Sequence, residues 1–230
     1  MNVSDRSLLI LAGGRSSRLG QDKVFLEIAG RPPLLRALDA TRGLDVVVAV
    51  REVSPLRAML EANAWESVAD NREVGATMFL EGRTLRIVPD PKPDWGPVAG
   101  LASGLAAAQG RLTLVLAGDL PFVTEVFVDR IFNMLAADRE LDAVVPFVNG
   151  HLQPLCAAYR RTVHETAEAL LAESSSGEES TSMMHLLEQV KVRKVGSGAF
   201  SDVVDLTTLT RGIDTPRDLS WAEETAEKYG

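Results

Sequence analysis

The chain has 230 residues, 46% hydrophobic and 24% charged, and its net charge of −8 argues against duplex nucleic acid, whose phosphates call for basic patches. Its single cysteine, Cys156, excludes an internal disulfide, and apolar runs such as Leu112–Ala117 fall far short of the roughly 20 residues that span a bilayer. With a polar start from Met1 to Arg6 and no leader-like segment, the expectation is a cytoplasmic protein.

Strand and helix patterns alternate along the chain. Ser7–Leu11 reads as a buried strand, and Pro32–Arg42 as a helix opened by prolines and stopped by Gly43. Asp45–Val50 and Leu85–Pro89 read as further strands with apolar residues on both faces. Pro97–Gln109 places Val98, Leu101, Ala102 and Leu105 at helical spacing, and Leu112–Ala117 is again a strand. Thr124–Arg139 carries Phe127, Ile131, Met134 and Leu135 on one helical face, with Thr124 as its cap, and Asp142–Phe147 reads as a strand. Beyond it come a helix over Thr162–Glu173, a mobile polar loop over Glu173–Ser180, and a helix then strand within Met183–Val195. Asp202–Leu206 reads as a short strand. Thr215-Pro216-Arg217-Asp218 opens a last helix, with Thr215 capping, Pro216 at the first position and Asp218 reaching back as in a capping box. This alternation predicts a Rossmann-like three-layer α/β/α fold around a mostly parallel sheet, one domain over 1–230, with ligands bound beyond the carboxyl ends of the strands.

The first strand runs into Leu11-Ala12-Gly13-Gly14-Arg15-Ser16-Ser17-Arg18-Leu19-Gly20-Gln21-Asp22-Lys23. Three glycines can turn backbone N–H groups toward an anion, and Arg15, Arg18 and Lys23 add cations, so the segment has the parts of a polyphosphate cradle. It is no Walker A loop, because Asp22 precedes Lys23 and Val24 follows, and the G-x-G-x-x-G fingerprint is absent. The plainer alternative is a glycine-rich turn with solvated basic residues. Asp119, in Ala117-Gly118-Asp119-Leu120-Pro121, stands at the carboxyl end of a buried strand, where one carboxylate plus substrate phosphate oxygens suits magnesium. Its plainer role, capping the next helix, falls better to Thr124. A third stretch, Val88 to Gly100, is a proline-rich loop entering a helix whose Gly100 and Gly104 permit close backbone approach.

Taken in order, these segments resemble the molybdenum cofactor guanylyltransferases within the nucleotidyltransferase superfamily. Leu11 to Lys23 is similar to the family opening, Asp90 with Gly96-Pro97-Val98-Ala99-Gly100 to its D…GPLAG element, and Gly118-Asp119-Leu120-Pro121 to its metal-binding turn. Gln153-Pro154-Leu155 with Ala158-Tyr159-Arg160 resembles the acceptor-side segment, and Ile213 to Leu219 the closing NINTPEDL. The resemblance implies transfer of GMP from GTP to the phosphate of molybdopterin or the molybdenum cofactor. It assigns Leu11, Ala12, Gly13 and Gly14 to guanine and nearby phosphate, with Asp90 and Gly100 in the nucleotide pocket. Lys23 and Arg18 would hold the triphosphate, and Asp119 would bind Mg2+, with Asp214 as a second candidate. GTP and molybdopterin are the implied partners, alongside transient contact with cofactor-handling proteins and neither nucleic acid nor membrane.

Three departures stand out. Val48-Ala49-Val50-Arg51 lacks an asparagine that family members often place there, Gly212 and Asp214 stand where the family has asparagines, and 51–86 has no counterpart. Alternatives therefore stay open: a cytidylyltransferase of the same cofactor, a sugar-1-phosphate nucleotidyltransferase, or a catalytically silent nucleotide sensor. An acceptor phosphomonoester, with a second pKa near ~6, is largely a dianion at neutral pH and needs no general base. That agrees with His151, His164 and His185 being scattered surface residues rather than ligands.

Overall fold

The computed structural model describes residues 5–13, 25–71, 75–92, 95–173, 182–201 and 205–229. The five strands expected from buried apolar runs are present as β1 (Arg6–Leu11), β2 (Asp45–Val50), β5 (Arg83–Pro89), β6 (Leu112–Ala117) and β7 (Ala143–Val148). Between β2 and β5 the chain also forms α2 (Val53–Ala62), β3 (Glu66–Asn71) and β4 (Gly75–Leu80), elements the sequence pattern does not announce. Short strands β8 (His151–Leu152) and β9 (Cys156–Arg160) follow β7, and β10 (Val192–Gly196) comes after the helix at Met183.

The helices sort to two faces because side chains alternate along each strand. Leu8, Ile10, Val46, Val48, Leu114 and Leu116 point to one layer, made by α1 (Pro33–Ala40), α2, α4 (Glu125–Ala136) and α7 (Leu206–Leu209). Leu9, Val47, Val115 and Val145 point to the other, made by α3 (Pro97–Ala107), α5 (Val163–Glu173) and α6 (Met183–Glu188). Gly104 brings α3 onto the sheet: a Cβ there would lie 2.3 Å from Leu9 Cδ1. A small third cluster joins Ala222 and Ala226 of α8 (Pro216–Tyr229) to Leu26, Ile28 and Ile213.

The sheet order is β10-β7-β9-β6-β1-β2-β5-β4-β3, with β8 added to β7. β1 pairs parallel with β2 and β6, β2 with β5, and β7 with β10. Strands β4, β8 and β9 are antiparallel to their partners, so three of the ten run against the rest and the sheet is mostly parallel as expected. The chain moves outward from β1 to β2 and β5, then returns through α3 to β6 on the far side of β1. Ligands of such sheets sit at this reversal.

Thr124 caps α4 as expected, accepting from the Phe127 N–H at 3.3 Å. Thr215 and Asp218 form the expected capping box on α8, with the Thr215 N–H donating to Asp218 Oδ2 at 3.0 Å and the Asp218 N–H to Thr215 Oγ1 at 3.2 Å. The strand expected over Asp202–Leu206 is wrong where it is described. Asp205 accepts from the Thr207 and Thr208 N–H groups as an N-cap, and Leu206 begins α7 instead of ending a strand. Residues 174–180 of the expected polar loop lie outside the described residues. Among the described residues no helix is long and apolar enough to cross a membrane.

Candidate active site

At the carboxyl rim the backbone ties four strand ends together. The Ala12 N–H donates to the Ala49 carbonyl at 2.8 Å, Asp90 N–H to Val50 at 2.7 Å, and Gly118 N–H to Leu11 at 3.0 Å. The loops that leave β1, β2, β5 and β6 therefore start from a fixed platform, and the candidate residues Leu11, Ala12, Gly13, Asp90 and Asp119 stand on it.

Asp90 turns one oxygen toward glycine backbone. A Cβ on Gly100 would lie 3.4 Å from Asp90 Oδ2 and 3.4 Å from Leu11 Cδ2, and one on Gly13 would lie 3.7 Å from the same Oδ2. Oδ1 accepts from the Lys92 N–H at 2.9 Å, which fixes the carboxylate, and Lys92 itself lies 3.7 Å over the Trp95 ring. Leu11, Gly13, Asp90 and Gly100 are thus brought together, with glycines leaving the space beside the carboxylate open. Behind Ala12, on the α2 side of the sheet, lies a cavity of about 270 Å³ lined by Ala12, Phe25, Val50, Arg51, Glu52, Pro55 and Leu56. Of its lining only Ala12 was assigned to the site from the sequence, because Phe25 and Pro55 belong to segments without a motif.

Asp119 stands in the turn after β6, the neighbour of β1, and is half-buried. Gly212, in the segment before α8, approaches it so closely that a Cβ would lie 3.1 Å from Oδ2 and 3.3 Å from Oδ1. A glycine here keeps a gap beside the carboxylate that any side chain would fill. An oxygen donor with such a gap fits a hard dication that draws its other ligands from phosphate and water. Among the described residues there is no group of three or more His, Cys, Asp or Glu able to hold a metal, a set that magnesium bound through substrate does not require. Asp214 is exposed two residues beyond Gly212, and its N–H donates to Asp218 Oδ2 at 3.3 Å. Asp218 also accepts from Arg211 Nη2 at 2.8 Å and from the Thr215 hydroxyl at 2.7 Å. The Arg211 guanidinium first, and the Thr215 hydroxyl second, hold its carboxyl down to about 2.

The segment from Gln153 to Tyr159 runs beside the same turn. The Ala117 N–H donates to the Leu155 carbonyl at 2.7 Å, the Gln153 N–H to Pro146 at 2.9 Å, and the buried Tyr159 hydroxyl to Pro154 at 2.8 Å. Burial pushes the Cys156 thiol and the Tyr159 phenol far up, so neither offers a nucleophile at neutral pH. His151 is exposed, His164 Nδ1 donates to the Arg161 carbonyl at 2.9 Å, and His185 lies 3.5 Å from Glu188. Gly14, Arg15, Arg18 and Lys23 lie outside the described residues. Gly212 is the neighbour of Asp119 that sequence reasoning missed. Its one signal was a glycine standing where the resemblance expects asparagine.

The MobA-like NTP transferase domain matches this chain over residues 8–191. A Bacillus cereus protein named "Probable molybdenum cofactor guanylyltransferase" is 29% identical over 220 residues, covering 92% of this chain and 96% of its own length. A protein of the same name from Methanothermobacter thermautotrophicus is 31% identical over 174 residues, 73% of this chain and 78% of its own. In three dimensions the chain is similar to molybdopterin-guanine dinucleotide biosynthesis protein A from Archaeoglobus fulgidus. The TM-score is 0.72 at 20% sequence identity, over 96% of this chain and 99% of that one.

Proposed function

The chain belongs to the MobA-like NTP transferase domain family, and from that premise we propose that it transfers GMP from GTP to the phosphate of molybdopterin or the molybdenum cofactor, with magnesium and in the cytoplasm. The observation that carries this reading is the order of groups along the carboxyl rim. Following the strand order, Asp90 follows β5, Arg51 follows β2, Gly13 follows β1, Asp119 follows β6, and Gln153 precedes β9. With strands about 4.8 Å apart, a nucleotide over β5, β2 and β1 would present its α-phosphate near Asp119, and an acceptor beside Gln153 would face it. The relatives named as guanylyltransferases support GTP as donor.

In the reaction an acceptor phosphate oxygen bonds to the α-phosphorus as the bond to the bridging oxygen breaks, and pyrophosphate leaves with that oxygen. The acceptor is already ionised, so the residues have two polyanions to align and their charge to neutralise. Leu11, Ala12, Gly13 and Gly14 would offer backbone to the base and nearby phosphate, with Asp90 and Gly100 beside them. Lys23 and Arg18 would take the departing pyrophosphate. Asp119 would hold magnesium, with Asp214 as a second donor; bound there, the ion would neutralise charge on the phosphate oxygens. Glycines at 13 and 14 leave room beside the base for a purine.

Thermal-shift titration with GTP, CTP, ATP and UTP in magnesium tests the donor. GTP at a hundred times its dissociation constant should stabilise the protein by roughly 2.7 kcal/mol, and the other nucleotides by clearly less at the same concentration. A larger shift with CTP would sink the guanylyl reading and leave nucleotidyl transfer standing.

A further inference from the structure

Asp119 faces a wall supplied by the far end of the chain, beyond residues 8–191 of the family match. That wall, Arg211 to Thr215, has no regular structure of its own. Asp218 ties down both of its ends, on either side of the buried Ile213. Asp218 Oδ2 accepts from the Asp214 N–H at 3.3 Å, the Thr215 N–H at 3.0 Å and the Thr215 hydroxyl at 2.7 Å, and Oδ1 accepts from Arg211 Nη2 at 2.8 Å. Arg211 then lies 4.1 Å over the Trp221 ring, and Trp221 meets Phe122 edge-on at 5.4 Å. Phe122 belongs to the turn that carries Asp119. The contacts therefore close a ring, from Asp119 through Phe122, Trp221, Arg211 and Asp218 to Gly212 and back to Asp119.

We propose that Asp218 is a positioning residue of the Asp119 site: by clamping Arg211–Thr215 it sets the gap between Gly212 and the Asp119 carboxylate, and with it the grip of that carboxylate on a divalent cation. The proposal rests on Asp119 being the metal ligand, as argued above. A helix cap alone would need only the Thr215 bonds. The bond to Arg211, and the burial of Ile213 against Leu26 and Ile28, act instead on the segment that carries Gly212. Gly212 is not in the left-handed region, so an alanine there is opposed by the carboxylate 3.1 Å away rather than by its own backbone.

The test is Mn2+ binding, followed by loss of the free-ion electron paramagnetic resonance signal, with a saturating non-hydrolysable GTP analogue. Asp119→Asn, Asp218→Asn and Gly212→Ala are compared with the parent protein, and melting temperature is recorded for each. Asp218→Asn and Gly212→Ala should each weaken Mn2+ by about tenfold or more, the range for groups that orient a metal ligand. Gly212→Ala should do so with its melting temperature nearly unchanged, which a purely structural role would not produce. If Asp218→Asn does not fold, Gly212→Ala decides alone. Either variant, folded and binding Mn2+ like the parent while Asp119→Asn does not, overturns the proposal. Parent-like binding by Asp119→Asn would instead overturn the ligand assignment beneath it.

Discussion

At the amino-terminal rim of the sheet Asp45 accepts from Ser7 Oγ at 2.7 Å, from the Gln109 N–H at 2.9 Å and from the Arg86 guanidinium. Arg86 donates as well to the Ala107 carbonyl, and the Gly110 N–H to Ser7 Oγ at 2.8 Å. Glycine there serves packing: a Cβ on Gly110 would lie 2.6 Å from the Arg6 backbone. At the carboxyl rim the aspartates meet glycine differently. A Cβ on Gly100 or Gly212 would reach a carboxylate oxygen itself, of Asp90 or Asp119. The same residue type thus stands in two settings. Asp45, with both oxygens bonded to Ser, Arg and backbone N–H, fastens strands, whereas the glycines beside Asp90 and Asp119 leave space next to a carboxylate oxygen.

Substituting each aspartate should separate the rims. Asp119→Asn should lower GTP-dependent pyrophosphate release by at least about a hundredfold, the scale on which removing a charge-stabilising group acts, with little change in melting temperature. Equal loss of stability and turnover would erase the distinction. Asp45→Ala should do the reverse, costing about 1–3 kcal/mol in urea unfolding because Arg86 and Ser7 lose their acceptor, with turnover per folded molecule unchanged. A catalytic defect in that variant would show the two rims to be coupled.

The smallest effect concerns pH. Asp218 falls from an ordinary carboxylate value near ~3.9 in the unfolded chain to about 2 when folded, chiefly through Arg211 and then Thr215. A depressed carboxyl stabilises the fold above its unfolded value and stops doing so as pH falls through its folded one. The melting-temperature gap between the parent and Asp218→Asn should stay constant from neutral pH to about pH 4 and shrink toward pH 2. A gap independent of pH would mean that the clamp on Arg211–Thr215 is not formed in solution.

Sequence reading recovered the strands that are buried on both faces, since runs such as Asp45–Val50 and Leu112–Ala117 have few other conformations open to them. It gave no sign of β3 and β4, whose pattern is mixed because only one side is covered, as buried Met78 beside exposed Phe79 shows. Gly75, the first residue of β4, has φ 115°, and a Cβ there would strike the Ile87 carbonyl at 2.0 Å. β9 was hidden by small residues in Cys156–Arg160, and the end of Asp202–Leu206 was misread as strand because Asp205 caps the helix that Leu206 begins. In the candidate site, Asp119 was singled out from its place after a strand, and Asp90 from the family resemblance. The approach of Gly212 to Asp119 was not, because it depends on how α8 docks rather than on any local pattern.

Donor choice separates guanylyl transfer from its alternatives most directly. The decisive measurement is the ratio of kcat/KM for GTP and for CTP, with molybdopterin as acceptor and magnesium present, following pyrophosphate. A site whose polar groups match one base leaves them unpaired with another, a cost of several kcal/mol, so the ratio should exceed about a hundred. A ratio below one would contradict the guanylyl assignment, and no pyrophosphate with either nucleotide would contradict the transfer itself.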